Sequence, residues 1–458
     1  SEVGHLTLGC GQVIYQYLPR IINAIQNDSF FQNPAFLGAR DHVKRQHSKL
    51  HLIGLVSSGA VHSYIDHLYA LLDFCKKEGI ENVYLHLFTD GRDAPQKEAV
   101  TLIKNLSERL SLQKTGKIAT ISGRSFAMDR DKNWDRIKKV YECLTEGKGE
   151  TVQDPVLYLQ NSYQREITDE YIEPAVVDSE GLIQKNDAII FFNFREERAR
   201  ELTLAFIKDD FNEFSRKKIG NLYFATMTRY LDNIHIKVAF EPPKIKNSLG
   251  KVISDAGFSQ FRIAETEKYA HVTYFFNGLK EKPFPGEERV IIPSSGGPHY
   301  DRNPEMQALN IKERVLKEIE KEKYHFILIN LANPDMIGHT GNIKAAIRAA
   351  EIVDTCTGEI VGAAEGKYTT LILADHGNFE EMISRSGEVI GDHSSNPVPF
   401  YLVDPKFKSS IPQGKNLETI PKAGGFLFDV SPTILEYLEL PKPAEMTGFS
   451  LIPSLTQQ

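Results

Sequence analysis

The sequence predicts an α/β protein with mainly parallel sheets, divided into two domains. Apolar runs of strand length alternate with stretches in which apolar residues recur every three or four positions. This alternation is typical of strands joined by amphipathic helices. The length of 458 residues exceeds what a single hydrophobic core usually supports. The adjacent prolines Pro242 and Pro243 disfavour both helix and strand pairing, so we expect a linker at 241–246.

The first half of the chain is predicted to form one mainly parallel sheet. Helices are expected between its strands, most clearly at 62–78 and 96–111, where apolar residues recur at helical spacing. The strands are expected at 51–57, 81–89, 117–122, 188–194 and 221–227.

Two further strands are predicted in the second half of the chain, at 325–332 and 369–374. Both are nearly continuous apolar runs, as expected of central strands that are covered on both faces. Amphipathic helices at 305–321 and 343–363 are expected to pack against them.

Composition and charge argue against several classes of protein. The chain is 41% hydrophobic and 25% charged, which is ordinary for a globular protein with a full core. Its net charge of −7 argues against a general nucleic-acid binder but leaves room for a local anion cleft. Apolar runs such as Phe326 to Leu331 are far too short to span a membrane. The few scattered cysteines, without a Cys-x-x-Cys pair, suggest a reducing compartment, and we predict the cytoplasm.

Aspartate and histidine occur together after both strands of the second half, and a further histidine lies in a turn-rich loop. These residues are Asp335, His339, Asp375, His376 and His393. The first two are four residues apart and would share one face of a helical turn. Oxygen and imidazole ligands without thiolates suit manganese, zinc or magnesium. An isolated aspartate is more often a helix cap and an isolated histidine a hydrogen-bonded residue, so the metal interpretation depends on the cluster.

Basic side chains follow four strands of the first half, where parallel strands would bring them to one edge of the sheet. Arginine binds carboxylate and phosphate groups with two hydrogen bonds, which suits a small substrate that carries both. A single surface arginine usually makes only a weak ion pair, but that explanation covers five arginines at corresponding positions poorly. The basic residues are His62, Arg92, Arg124, Arg130, Arg195 and Arg198, and the acidic Asp93 follows Arg92 directly.

These motifs together resemble one known family. Asn-Pro-Asp-Met-Ile-Gly-His-Thr-Gly at 333–341 and Ala-Asp-His-Gly-Asn at 374–378 look like the metal motifs of cofactor-independent phosphoglycerate mutases, in the alkaline phosphatase superfamily. The opening Ser-Glu-Val-Gly-His resembles the segment that carries the catalytic serine of that family. The resemblance covers essentially the whole chain.

The resemblance implies a particular architecture and metal content. An alkaline-phosphatase-like metal domain, residues 1–16 with 247–458, would contain an inserted α/β substrate domain, residues 17–240. Two divalent ions are implied, manganese as the first choice and cobalt, zinc or magnesium as alternatives. One ion would be bound by Asp335, His339 and His393, and the other by Asp375, His376 and the hydroxyl of Ser1.

The resemblance also implies an activity. The protein would be an isomerase of glycolysis and gluconeogenesis that interconverts 3-phosphoglycerate and 2-phosphoglycerate through a phosphoserine on Ser1. It would need no 2,3-bisphosphoglycerate and would act as a monomer, without a nucleic-acid or membrane partner. Asp93, helped by His62, is expected to move the proton of the substrate hydroxyl, and Lys268 to neutralise the transferring phosphoryl oxygens. Substrate contacts are implied for His62, Arg92, Asp93, Arg124, Arg130, Arg195, Arg198 and Lys268.

The start of the sequence departs from the family pattern. Family members begin with a further segment that includes a strand ending in an Asp-Gly-Trp/Phe-Gly metal motif. Here residue 1 is Ser1, so we expect a processed or N-terminally truncated chain that lacks one carboxylate ligand of the second ion.

Three other interpretations remain. Ser1 could act with its own α-amine, as in N-terminal-nucleophile hydrolases, but this leaves the Asp/His clusters and the arginines unexplained. A phosphatase or phosphopentomutase of the same superfamily fits the metal motifs, whereas the arginine set favours the mutase. The non-enzymatic alternative is a metal-binding protein that only holds phosphorylated ligands.

Overall fold

The computed structural model describes residues 1–232, 234, 236–295, 297, 299–406 and 424–456. The chain forms two compact units. We call residues 1–14 with 243–458 the discontinuous unit and residues 15–242 the continuous unit. Among the helices of the described residues, none is both long enough and apolar enough to cross a bilayer.

Helices and strands alternate along most of the chain. The α-helices are α1 (Glu2–Cys10), α2 (Tyr17–Gln26), α3 (Pro34–Gln46), α4 (Ile65–Lys77), α5 (Ala99–Gln113), α6 (Arg124–Ala127), α7 (Trp134–Glu146), α8 (Pro155–Gln164), α9 (Arg200–Ile207), α10 (Leu249–Asp255), α11 (Thr266–Ala270), α12 (Ala308–Glu320), α13 (Asn333–Gly338), α14 (Ile343–Ala364), α15 (Val430–Tyr437) and α16 (Ile452–Thr456). The strands are β1 (Leu50–Val56), β2 (Val83–Thr89), β3 (Lys117–Gly123), β4 (Glu150–Thr151), β5 (Ala175–Val176), β6 (Ala188–Phe191), β7 (Tyr223–Thr228), β8 (Lys237–Phe240), β9 (Gln260–Glu265), β10 (Glu287–Ile292), β11 (Phe326–Ile329), β12 (Thr370–Leu373) and β13 (Phe400–Val403).

The described residues of the continuous unit form one sheet in the order β4-β5-β3-β2-β1-β6-β7-β8. Neighbouring strands are parallel except β3 and β5. Every residue of β1 and β2 is buried. Side chains of β1 alternate between two apolar clusters, with Leu52 in one and Ile53 in the other. The sheet is therefore covered on both faces, as its apolar strands require.

The strand order reverses beside β1. The chain runs outward from β1 through β2 to β3 and later returns to β6 on the other side of β1. Loops at the carboxyl ends of two such strands usually form a ligand-binding crevice. Here the loop after β1 contains His62, and the loop after β6 contains Arg195 and Arg198. The N–H groups of Phe194 and Arg195 donate to the carbonyl of His62 at 2.8 and 3.3 Å, so the two loops are joined directly.

The discontinuous unit contains two smaller sheets within its described residues. Strands β10, β9 and β11 form a parallel sheet, and β12 pairs with β13 in antiparallel orientation. Helices α12 and α14 pack against the first sheet, with Ile311, Val315 and Ile360 in one cluster with Phe261 and Ile263. The prediction placed both helices against β11 and β12. Ile327 and Ile329 of β11 do pack against this cluster, but its buried strand residues belong to β9.

Strands β11 and β12 differ from the prediction that both faces are covered. All their residues are only half-buried. The physical reason is a cavity of about 740 Å³ that both strands line, with Phe326, Leu328, Leu371 and Leu373 among its walls.

Strand β9 was not predicted, because its sequence mixes charged and apolar residues. Gln260, Arg262 and Glu265 are fully buried all the same. The Arg262 guanidinium lies over the rings of Phe276 and Phe326, at 4.7 and 5.6 Å from their centroids. Such cation–π stacking lets the charge be buried in an otherwise apolar sheet, and no local pattern reveals it.

Strand β6 ends three residues earlier than predicted, at Phe191 instead of position 194. The side chain of Asn193 takes over the pairing, since its Oδ1 accepts a hydrogen bond from the Leu55 N–H at 2.9 Å. The chain is thereby free to turn before Arg195.

Candidate active site

The hydroxyl group of Ser1 lies between two nitrogen atoms. Lys268 Nζ donates a hydrogen bond to Ser1 Oγ at 2.6 Å, and His376 Nε2 lies 2.7 Å from the same oxygen. Ser1 is the N-cap of α1, and Lys268 lies on α11, just after the buried strand β9. Because an ammonium group only donates, the Ser1 hydroxyl is left to donate its own hydrogen to His376. A serine oxygen with a ready proton acceptor is what nucleophilic catalysis needs.

Helix α1 is held in place by its apolar side and by its backbone. Leu8 packs in a cluster with Leu249 and Phe276. The Leu8 carbonyl also accepts a hydrogen bond from the buried Ser431 hydroxyl. These contacts fix the position of Ser1 at the start of the helix.

Asp335, His339 and His393 bring three potential metal ligands together, with their ligand atoms within 4.8 Å of one another. His339 Nε2 and His393 Nε2 lie 3.2 and 3.0 Å from Asp335 Oδ1 and 3.1 Å from each other. His339 Nδ1 donates a hydrogen bond to the carbonyl of Gly391 at 2.9 Å. The lone pair of its Nε2 is therefore available and faces the cluster. Imidazole and carboxylate atoms that converge this closely fit a divalent cation.

Asp375, His376 and Ser1 form a second group beside the first. Asp375 Oδ2 lies 3.4 Å from His376 Nε2. His376 Nδ1 donates to the Gly377 carbonyl at 3.2 Å, so its Nε2 faces the group as an acceptor. Asp375 Oδ2 is buried, and among the described residues no well-aligned hydrogen bond reaches it. A buried carboxylate oxygen that accepts no well-aligned hydrogen bond is suited to bind a cation.

The electrostatics keep both aspartates ionised. Burial favours the neutral form of Asp335, but the charge and hydrogen bond of Lys268, with a hydrogen bond from Asn378, lower its pKa to about 2. Burial also raises the pKa of Asp375, but the neighbouring His5 and His376 outweigh this effect and hold the pKa well below its usual range. Burial is the main cause that lowers the pKa of His393. Anionic carboxylates and neutral imidazoles are the forms that bind metal.

A layer of polar contacts orients the Asp335 ligand group. Asn378 Nδ2 donates to Asp335 Oδ1 at 2.8 Å. The Asn378 N–H in turn donates to Glu380 Oε2 at 2.8 Å, and Glu380 accepts a hydrogen bond from the Ser394 hydroxyl. Such supporting contacts restrict the rotation of metal ligands.

The cavity described above reaches this site. Its walls include His5, Lys268, Asp335, Asp375 and His376, beside the apolar side chains of β11 and β12. The polar end of the cavity is thus where the ligand groups lie.

In the continuous unit, a second candidate site lies at the strand reversal. Arg124 is almost fully buried, and its Nη1 donates to Asp93 Oδ2 at 2.5 Å and to Asp90 Oδ1 at 2.6 Å. His62 Nε2 lies 3.8 Å from Asp93 Oδ2. Asp93 is therefore held between a guanidinium and an imidazole, in a position from which it could exchange a proton with a bound hydroxyl.

The pKa values in this site reflect a gathering of positive charge. Burial, followed by the charge of Arg124, lowers the pKa of His62 to about 4, and Arg195 and Arg198 contribute in the same direction. Burial also lowers the pKa of Arg198, with the charges of Arg130, Arg124 and Arg92 adding to the effect. The predicted basic residues thus lie close enough to interact with one another.

The remaining arginines have weak or partial partners. Arg92 Nη1 is 3.6 Å from Glu170 Oε1. Glu197 Oε1 lies 3.2 Å from Arg130 and 3.5 Å from Arg195. Arg92, Arg130 and Arg195 keep about half of their side chains exposed, which leaves donors free for an anion.

Sequence reasoning assigned no role to three residues that contact this machinery. Asn378 binds Asp335, His5 Nδ1 lies 3.0 Å from Asp375 Oδ2, and Asn330 Nδ2 lies 3.2 Å from His5 Nε2. His5 and Asn378 lie inside motifs that carry predicted ligands, and Asn330 lies five residues before Asp335. This nearness in sequence is the only signal that the sequence offers.

Comparisons with known proteins identify the family to which the chain belongs. A family model described as "BPG-independent PGAM N-terminus (iPGM_N)" matches residues 21–232. A 2,3-bisphosphoglycerate-independent phosphoglycerate mutase of Moorella thermoacetica is 48% identical over 459 aligned residues, covering 99% of this chain and 87% of that protein. The chain belongs to this mutase family. Mutase 2 of Methanosarcina barkeri, another member of the family, is 46% identical over 99% of this chain and 87% of its own length.

A solved structure extends the likeness to the fold. It is a phosphoglycerate mutase from Leishmania mexicana, whose crystal structures were determined at low cobalt concentration. The match has 27% identity and a TM-score of 0.59, and it covers 98% of this chain and 86% of that one. The predicted α/β fold class and the predicted mutase family are both confirmed.

Proposed function

We propose that this protein interconverts 3-phosphoglycerate and 2-phosphoglycerate through a phosphoserine on Ser1, with two divalent metal ions and without 2,3-bisphosphoglycerate. The observation that carries the proposal is the position of Ser1 Oγ, between Lys268 Nζ and His376 Nε2 at 2.6 and 2.7 Å. Membership of the mutase family supports the choice of substrate. The discontinuous unit would be the metal domain and the continuous unit the substrate domain.

The donor sets fit the two proposed ions. Asp335, His339 and His393 would hold one ion. Asp375, His376 and the Ser1 hydroxyl would hold the other. When bound, such ions lower the pKa of a coordinated hydroxyl and neutralise phosphoryl oxygens. Manganese is the proposed metal, with cobalt, zinc or magnesium as alternatives, since oxygen and imidazole ligands accept each of them.

Ser1 is the proposed nucleophile, and Lys268 is its proposed partner. The Ser1 hydroxyl loses its proton as the Ser1 Oγ–P bond forms, the bond between the substrate O3 and phosphorus breaks, and the freed O3 takes up a proton. In the second half, the substrate O2 loses its proton as it attacks the phosphoserine, the Ser1 Oγ–P bond breaks, and Ser1 Oγ takes a proton back. Lys268 Nζ, at hydrogen-bond distance from Ser1 Oγ, would stabilise charge on the oxygens around phosphorus.

The arginine site would bind the glycerate. Guanidinium groups pair with carboxylate and phosphate oxygens, and the half-exposed arginines have donors available for this. Asp93 would exchange the proton of the reacting hydroxyl. His62, whose pKa is about 4, is neutral at pH 7 and would help as a hydrogen-bonding partner. The residues proposed to bind substrate are His62, Arg92, Asp93, Arg124, Arg130, Arg195, Arg198 and Lys268.

The compartment and the oligomeric state are also proposals. The four cysteines are buried and unpaired, which fits a reducing compartment such as the cytoplasm. We propose a monomer that needs only its small-molecule substrate as a partner.

The test is the conversion of 3-phosphoglycerate to 2-phosphoglycerate in the presence of manganese and without 2,3-bisphosphoglycerate. We expect turnover that a chelator abolishes and added manganese restores, and that Ser1→Ala eliminates together with the phosphoserine. Bound metal without turnover would contradict the mutase and favour a phosphorylated-ligand-binding protein. Release of inorganic phosphate in place of 2-phosphoglycerate would favour a phosphatase.

A further inference from the structure

His5 links the nucleophile to both strand ends that carry ligand groups. It lies on α1, one helical turn after Ser1, and only 4% of its surface is exposed. Its Nδ1 is 3.1 Å from the Ser1 carbonyl oxygen and 3.0 Å from Asp375 Oδ2. On the opposite side of the ring, Asn330 Nδ2, just after β11, lies 3.2 Å from His5 Nε2.

These contacts define where the imidazole proton lies. Both neighbours of Nδ1 are oxygen acceptors, so Nδ1 must carry hydrogen. The Asn330 amide donates to Nε2, which therefore presents a lone pair. The ring is thereby held in one orientation, with its Nδ1–H directed toward the Ser1 carbonyl and close to the Asp375 carboxylate.

We propose that His5 is a positioning residue, oriented by Asn330, that fixes the position of the Asp375 carboxylate relative to the Ser1 hydroxyl. This inference rests on the proposed function, because Asp375 and Ser1 are proposed ligands of the same ion. The His5 N–H is hydrogen-bonded to the Ser1 carbonyl, and its Nδ1 also lies 3.0 Å from Asp375 Oδ2. That carboxylate oxygen accepts no well-aligned hydrogen bond from the described residues, so His5 contacts it as a close polar neighbour. His5 also anchors the first turn of α1, and thereby Ser1, to the strand end. Polar neighbours of this kind set the orientation of metal ligands.

Two substitutions at this position separate the positioning role from simple packing. In His5→Asn, the amide nitrogen lies the same number of bonds from Cβ as Nδ1, so a donor to Asp375 is kept. In His5→Gln, the amide lies one bond further out, and that donor is displaced. The matched control is His42→Gln. His42 is also buried and its Nε2 binds the Asn186 carbonyl at 2.8 Å, but it lies in the continuous unit.

The experiment is a calorimetric titration of the chelator-treated protein with manganese, followed by steady-state kinetics. We expect wild type to bind two ions. His5→Gln should bind one of them about 10- to 100-fold more weakly, lower kcat at least tenfold and leave KM within about twofold. His5→Asn should recover most of both losses, and His42→Gln should leave the titration unchanged.

The outcomes distinguish this inference from the proposed function. Wild-type manganese affinity for both ions in His5→Gln would overturn the positioning role while leaving the mutase intact. Equal losses in His5→Gln and His5→Asn would also overturn it, since packing would then explain the effect. Failure of the wild type itself to bind two ions would contradict the proposed metal site.

Discussion

Lys268 contacts both Ser1, the proposed nucleophile, and Asp335, a proposed metal ligand. Its Nζ donates to Ser1 Oγ and also binds Asp335, and its side chain is 7% exposed. A buried ammonium between a hydroxyl and a carboxylate is placed to stabilise negative charge that develops on the serine oxygen.

Removing the Lys268 charge should therefore slow phosphoryl transfer more than it weakens substrate binding. We expect Lys268→Met to lower kcat about 100-fold or more with a smaller change in KM, measured by steady-state kinetics. Lys312→Met is the matched control, because Lys312 pairs with Glu359 on a helix surface of the same unit. A kcat within twofold of wild type for Lys268→Met would exclude this role.

His67 is a buried histidine whose charge the fold does not accommodate. Within the described residues, neither of its ring nitrogens has a hydrogen-bond partner, and the ring packs edge-on against Tyr64 and Phe194. Burial lowers its pKa to about 4 from an ordinary value of 6.5. Between these pH values the unfolded chain binds a proton that the folded chain does not, so stability falls as the pH drops from about 6.5 to about 4.

His67→Phe should remove this contribution and keep the ring packing. Between pH 7 and pH 5, the wild type should lose about 2 kcal/mol more unfolding free energy than the variant. Urea unfolding at the two pH values measures the difference. An equal pH dependence in both proteins would show that His67 is protonated, or partnered, in the folded state.

At the scale of elements, helix α1 lies close to the chain just after β12, and Gly4 is the residue of α1 at the point of contact. A Cβ added to Gly4 would lie 2.6 Å from the Asp375 carbonyl oxygen and 2.9 Å from its Cβ. Backbone atoms cannot yield to such a contact without moving the helix or the strand end. By contrast, Gly362 on α14 is exposed and has nothing within 4 Å of an added Cβ.

The same substitution should therefore have opposite effects in the two helices. Gly362→Ala should raise the unfolding free energy by about 0.5 to 1 kcal/mol, because alanine restricts the unfolded chain and favours helix. Gly4→Ala should lower both stability and turnover, since it displaces Ser1 relative to Asp375. Thermal unfolding and kinetics measure both effects, and a stabilised, fully active Gly4→Ala protein would contradict the close approach.

The sequence predicted the elements whose chemistry is local and missed those that depend on distant partners. Strands β1, β2 and β3 follow from continuous apolar runs, and the ligand groups follow from Asp and His after strands. Strand β9 was missed because it contains Arg262, a charged residue. Its burial depends on two aromatic rings that lie far apart in the sequence. His5 carries no local sign of its contact with Asp375, 370 positions away. Such pairings arise from topology, which residue patterns alone do not specify.

At the scale of the whole molecule, the proposed metal ligands all belong to the discontinuous unit. The continuous unit has its own sheet and its own apolar clusters. A ligand that binds only the folded form of one unit stabilises that unit by mass action.

Chelation should accordingly affect one of two thermal transitions. With manganese at about 100 times its Kd, binding adds about 2.7 kcal/mol, so chelation should lower the melting temperature of one transition by about 5 to 10 °C. The other transition should stay unchanged and coincide with that of an isolated fragment, residues 15–242. Scanning calorimetry measures this, and equal shifts of both transitions would show that the metal stabilises more than the discontinuous unit.

The discontinuous unit also constrains the order of events during synthesis. Helix α1 is translated before the continuous unit, yet its partners, such as Ser431 and Phe276, are translated only after the whole of that unit. Domains generally fold as they emerge, so the continuous unit can complete its sheet while α1 still lacks the surface against which it packs. The segment carrying Ser1 is thus translated before the continuous unit and docked after it, and a nascent chain cannot assemble the proposed site of Ser1 until the partners of α1 have been translated.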